Sequence, residues 1–162
     1  MKSNIFKYSF ILILLLLYSC ESVSNDYYSF PESSWNSQKH IKFDINTEDS
    51  TQVRTSNISI RHNTSYRYPN IIFFLHHSFK KRLISTDTIE LSLTEEYGRW
   101  TGAGKSNIKE FTTIISTPKT YQNGLHSFSL ELAMRDPKNK SIELKKLDGI
   151  TDILFYLTTE NE

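Results

Sequence analysis

Residues 127–134 read Ser-Phe-Ser-Leu-Glu-Leu-Ala-Met. Phe128, Leu130, Leu132 and Met134 fall on one side of an extended chain, and Ser127, Ser129 and Glu131 fall on the other. That is the period of two of a strand with one face in a core and one in water. The pattern recurs up the chain: Ile41, Phe43 and Ile45 alternate with Lys42 and Asp44, Ile58 and Ile60 with Ser59 and Arg61, and Ile89, Leu91 and Leu93 repeat it. Asn70-Ile-Ile-Phe-Phe-Leu75 is a continuous apolar run, expected to be a central strand covered on both faces. Residues 151–157 are ambiguous by period but rich in strand formers. Turn signals separate these runs: Ser65 to Pro69, Asn123-Gly124, Asp136-Pro137 and Asp148-Gly149. No segment carries a sustained helical stripe. The expectation is an all-β chain, an antiparallel β-sandwich of about seven or eight strands, with a jelly roll as one form of it.

The N-terminus has a different character. Lys2 and Lys7 precede the apolar run Phe10 to Tyr18, which has signal-peptide length and is short for a bilayer span. It ends in Leu17-Tyr18-Ser19-Cys20, a bacterial lipobox except for the unusual tyrosine, and Cys20 is the single cysteine of the 162 residues. A lone thiol makes no intramolecular disulfide, and at the end of a signal peptide it is a site for diacylglycerol attachment. The alternative is an ordinary cleaved signal peptide with an incidental cysteine. The expected organisation is a lipoprotein signal peptide over 1–19, a short lipidated linker over 20–26 and one β-sandwich domain over 27–162.

Composition restricts the partners. Loss of residues 1–19 removes Lys2 and Lys7 but no acid, so the net charge passes from +1 to −1. Such a balance gives no argument for nucleic acid. Gly98-Arg-Trp-Thr-Gly-Ala-Gly104-Lys105-Ser106 ends like a phosphate-binding P-loop. The count fails by one, because Arg99 stands where that motif needs its first glycine. The following residues 108–117 are rich in β-branched side chains and read as a strand, whereas a P-loop feeds a helix. No nucleotide is therefore expected. Gly102 and Gly104 are read as letting the backbone turn or pass close to another element beside Trp100.

No catalytic residue, cofactor or metal site is assigned. His76 and His77 are adjacent on a strand and point to opposite faces, and His40, His62 and His126 lack ligand-like spacing. There is no Gly-x-Ser-x-Gly elbow, and the acids Glu90, Glu95, Glu96 and Glu131 read as solvated positions rather than a glycosidase pair. Lys80-Lys81-Arg82 reads as a basic hairpin-like turn.

Several short blocks follow in order: Phe30-Pro31 with Trp35, Asp49-Ser-Thr51, Ile60-Arg-His-Asn63-Thr-Ser-Tyr66-Arg-Tyr68-Pro69-Asn70, Asp87-Thr-Ile-Glu90, Gly98-x-Trp100-x-Gly102-x-Gly104, Leu132-Ala-Met134-Arg135 and Leu147-x-Gly149-Ile150-x-Asp152. With the lipobox, this order resembles the gliding motility lipoprotein GldH family of Bacteroidota across nearly the whole chain after Cys20; Asn107 and residues 111–120 depart from its pattern. The resemblance implies a non-enzymatic, lipid-anchored accessory protein of the gliding machinery, linked to type IX secretion. Its partners would be the membrane, through Cys20, and other envelope proteins of those systems. By analogy, Trp100, Gly102, Gly104 and Trp35 would form an interaction or packing element. Only Glu21 and Asp26 are acidic just after Cys20, which favours the periplasmic face of the outer membrane. A second reading, a surface glycan-binding sandwich, would use Trp35, Trp100 and tyrosines as a stacking platform.

Overall fold

The computed structural model describes residues 26–104 and 107–159. Cys20 and its apolar leader lie outside these residues, as do Lys105 and Ser106. Eleven strands are described: β1 (Asp26–Ser29), β2 (Ser34–Asn36), β3 (Ile41–Thr47), β4 (Val53–Asn63), β5 (Asn70–Phe79), β6 (Arg82–Ser92), β7 (Ile108–Ile114), β8 (Lys119–Thr120), β9 (Gly124–Leu132), β10 (Lys146–Asp148) and β11 (Ile150–Thr159).

Their pairing follows one rule. β5 pairs with β6, β4 with β7, β3 with β9, β2 with β10 and β1 with β11, all antiparallel. The chain is thus a long hairpin whose arms pair in nested order. Rolled up, it gives one sheet in the order β1-β11-β4-β7, with β8 also on β4, and a second in the order β3-β9-β5-β6. That is a jelly roll of eight principal strands, with β2 and β10 as a two-stranded clip.

Period-two side chains build the core as expected. Ile41, Phe43 and Ile45 stand opposite Leu130, Phe128 and His126 in register and are buried with them. From the facing sheet come Ile58, Ile60, Ile153 and Phe155, and Phe155 lies 4.7 Å from Phe128 and 5.7 Å from Phe43 between ring centroids. β5 lies inside its sheet, but only its inward residues Ile71, Phe73, Leu75 and His77 are buried; Ile72, Phe74 and His76 are half-buried. The expected cover on both faces is therefore absent, because a two-layer sandwich leaves the outer face of each sheet to water. The residues Lys80 and Lys81 make the two-residue turn between β5 and β6 with φ of 49° and 64°. Positive φ at both positions matches the right-handed twist of a hairpin, here without the usual Asn or Gly.

Candidate functional site

One end of the sandwich gathers most of the blocks singled out in the sequence: the segment 30–35, the β4–β5 turn, the connection between β6 and β7, and the β10–β11 turn. The joint is made by backbone. Asn63 donates its N–H to the Gly149 carbonyl at 2.8 Å, Gly149 donates to the Ser33 carbonyl at 2.8 Å, and Tyr66 donates to the Asn63 carbonyl at 3.2 Å. Gly149 is required there, since a Cβ on it would lie 2.2 Å from the Tyr66 nitrogen and its φ is +93°. Glu32 and Ser33 hold left-handed φ values of 58° and 51° without being glycine. Two such residues in succession cost on the order of 1–2 kcal/mol each and persist only where the surroundings over-determine them.

Beside this joint is a cleft of about 480 Å³ lined by charged and polar side chains, among them Glu32, Arg67, Tyr68, Lys146 and Asp148. Hydrogen bonds from Ser34 at 2.9 Å, and then from Lys146 at 3.2 Å, hold the Asp148 carboxyl below the usual carboxylate range. A general acid at neutral pH needs the opposite shift. Burial, aided by the neighbouring Tyr68, raises the Tyr66 phenol, whose O–H donates to the Asn70 carbonyl at 2.7 Å. Burial lowers His62 against the opposing hydrogen bond to the Asn63 carbonyl, with Lys109 adding to the fall. The cleft therefore offers fixed charges of both signs and hydrogen-bonding groups to a polar partner.

The two indoles are not brought into one platform. Trp35 is fully buried against Phe30 and Phe73, with its Nε1–H donating to the Lys39 carbonyl at 3.0 Å. Trp100 is half-buried, its ring centroid 4.5 Å from His62 and 6.0 Å from Tyr66. Tyr97 is fully exposed in the 3₁₀ turn Glu96–Gly98, at the tip of a hairpin closed by the Glu95–Arg99 ion pair. A sugar ring cannot reach Trp35, which removes one of the two indoles that the glycan reading calls on.

Gly102 and Gly104 have a specific task. Ala103 between them exchanges both backbone hydrogen bonds with Glu110 of β7, at 3.0 and 2.9 Å. A Cβ on Gly102 would lie 2.2 Å from the Glu110 carbonyl oxygen, and one on Gly104 2.2 Å from that of Ile108. The segment is a strap laid on the edge of β7, and the Ala103 amide is satisfied by protein rather than open to a phosphate. Among the described residues no group of three or more His, Cys, Asp or Glu is placed to hold a metal.

A buried histidine pair escaped the sequence reading. His77 Nε2 and His126 Nδ1 lie 2.9 Å apart, and His77 stacks on Phe128 with ring centroids 4.6 Å apart. The signal was present: His77 shares parity with Phe73 and Leu75, and His126 shares parity with Phe128 and Leu130, so both belong to core faces.

A protein-family model described as GldH lipoprotein matches residues 22–155. A protein from Christiangramia forsetii described as a gliding motility lipoprotein GldH homolog is 31% identical over 161 residues, covering 97% of each chain. The gliding motility lipoprotein GldH of Flavobacterium johnsoniae is 27% identical over 148 residues, covering 91% of this chain and 92% of that one. Among solved structures, dimeric latent PorU from Porphyromonas gingivalis overlays with a TM-score of 0.37 and 10% identity, over 83% of this chain and 12% of that one. An overlay that loose carries no argument about fold or function.

Proposed function

Because the chain belongs to the GldH lipoprotein family, we propose that it is a non-enzymatic accessory protein of the gliding motility machinery, lipid-anchored through Cys20 and acting as an envelope adaptor linked to type IX secretion. The observation that carries this reading is the family match across the described domain, joined to a lipobox at Leu17-Tyr18-Ser19-Cys20. The cleft supports contact rather than chemistry, since Asp148 is held as an anion and the walls are exposed charges.

Lipid attachment contributes about 0.8 kcal/mol per buried CH₂, so several acyl chains together hold the domain at a membrane. Confinement to that surface raises its effective concentration toward membrane-bound partners without any new contact. Only residues 21–25 separate Cys20 from β1. The outer membrane, on its periplasmic face, is the proposed location, because the segment after Cys20 is poor in acids. The test is crosslinking and affinity capture from the native cells, comparing the wild-type chain with Cys20→Ala. Cys20-dependent recovery of motility or type IX secretion components is expected. An undiminished set with the unanchored form, or recovery of glycan-uptake proteins alone, refutes the reading.

A further inference from the structure

The side of the sandwich bounded by β6 and β7 has two edges, and the chain treats them differently. The Gly102–Gly104 strap covers part of the β7 edge through the Ala103 and Glu110 pairing. β6, in contrast, pairs only with β5 among the described residues. The register shift between His77 and Ser78 makes Ile84 an extra residue on β6. Beyond this bulge, Ser85 to Ser92 offer one row of strand backbone groups with no strand partner among the described residues. Such a row is a template for another extended chain.

What lies beside that row defines what can be added. Two openings run in line between β6 and the segment 114–122. One, of about 310 Å³, is walled by Ile84, Ser85, Tyr121 and His126; the other, of about 390 Å³, by Ile89, Leu91 and Ile115. Pairing with Leu75 of β5 places Asp87 on the core-facing side of β6 between the two openings, and the carboxylate is exposed, with Ser85 Oγ donating to it at 3.1 Å. An inward-pointing acid on an edge strand excludes a purely apolar strand, because burying it unpaired is costly. A strand that brings a cation to Asp87 removes that penalty.

We propose that β6 is a docking edge for an extended segment of a partner protein carrying an apolar residue, then a Lys or Arg, then an apolar residue, at two-residue spacing. In a strand, residues i and i+4 on one face lie about 13 Å apart, so the outer two apolar side chains reach the two openings while the central cation meets Asp87. Main-chain hydrogen bonds supply affinity and the alternate side chains supply specificity. A second copy of this chain fits poorly, since residues 85–92 hold Asp87 and Glu90 and no base. The inference deepens the adaptor reading by naming a partner chemistry. Its test uses purified components, so failure here is separable from failure of the capture experiment.

The lipidated full chain in detergent is titrated into fluorescein-labelled heptapeptides, TVTKTVT and TVTETVT, with anisotropy as the readout. The lysine peptide is expected to bind at least about tenfold more tightly, equivalent to about 1.4 kcal/mol. Asp87→Lys reverses the preference, a gain of binding that an unfolded variant cannot produce. N-methylation of alternate backbone amides in the lysine peptide abolishes binding in one of its two phases. Equal binding of both peptides, no binding by either, or a preference unmoved by Asp87→Lys overturns the proposal. Self-association through β6 that Asp87→Lys alters, without peptide binding, also overturns it and makes a second copy the occupant.

Discussion

Acidification from pH 7.5 to 5 should destabilise the domain through His77. The Gln122 carbonyl can only accept, so His126 Nε2, 2.8 Å from it, carries a proton. His126 Nδ1 then accepts from His77 Nε2 at 2.9 Å. This leaves His77 Nδ1 bare and buried, without a hydrogen-bond partner. Protonating it places a charge where no acceptor waits. Burial, then the neighbouring His126 and Lys119, pull the His77 pKa down to about 4, with Asp87 opposing. An unfolded histidine titrates near 6.5, so between 6.5 and 4 the unfolded chain binds more protons and stability rises with pH. The group contributes its full stabilisation above 6.5 and loses it as pH falls toward 4. With those two values the loss is about 2 kcal/mol at pH 5 and about 3 kcal/mol at pH 4. For a domain of this size, 2 kcal/mol corresponds to a fall in Tm of about 8 °C. The control is His77→Gln, which keeps an N–H donor toward His126 but does not titrate. It should start less stable at pH 7.5 and lose about 2 kcal/mol less than wild type by pH 5, measured by chemical denaturation. His62, also lowered by burial, supplies a smaller slope common to both proteins. Carboxylates held low, such as Asp44 and Asp148, lose their contribution only as pH falls through and below the ordinary carboxylate range, so pH 7.5 to 5 isolates the histidines. Identical pH slopes for wild type and His77→Gln would refute the reasoning.

Gly149→Ala should cost about 3 kcal/mol or more, combining left-handed strain with collision against Tyr66, whereas Gly98→Ala, with φ of +76° and nothing within 4 Å of a new Cβ, should cost only about 1–2 kcal/mol. Equal losses in urea unfolding would mean that the close approach at Gly149 is not constraining. Trp35→Ala should lose about 3–5 kcal/mol, the range for removing a fully enclosed aromatic, with the Lys39 carbonyl left without its indole donor. A loss below about 1 kcal/mol would show that Trp35 is accessible and would restore the stacking platform.

Much of the strand content was legible because each alternation is a local property: the side chains of 41–45, 58–61 and 127–132 choose a face with no reference to any other strand. The same holds for the turns at Asn123-Gly124 and Asp148-Gly149. The continuous run at 70–75 was misleading on one point, since apolar residues on the outer face of β5 need only half-cover from their neighbours. Lys80-Lys81 was recognised as a basic turn, but its left-handed backbone was not, because lysine carries no such preference.

Residue types and spacing alone established a β-rich chain behind a lipobox, with a glycine pair that fails as a phosphate loop. What only the tertiary structure decided is which strands are neighbours and therefore what each motif does. The nested pairing puts residues 30–35, 63–70 and 147–149 at one end of the sandwich. It closes the histidines of β5 and β9 on each other, lays the Gly102–Gly104 strap on one edge and, among the described residues, leaves β6 without a second strand on the next. These are contacts between residues tens of positions apart, and the preferences of neighbouring residues that set helix, strand and turn carry no term for them.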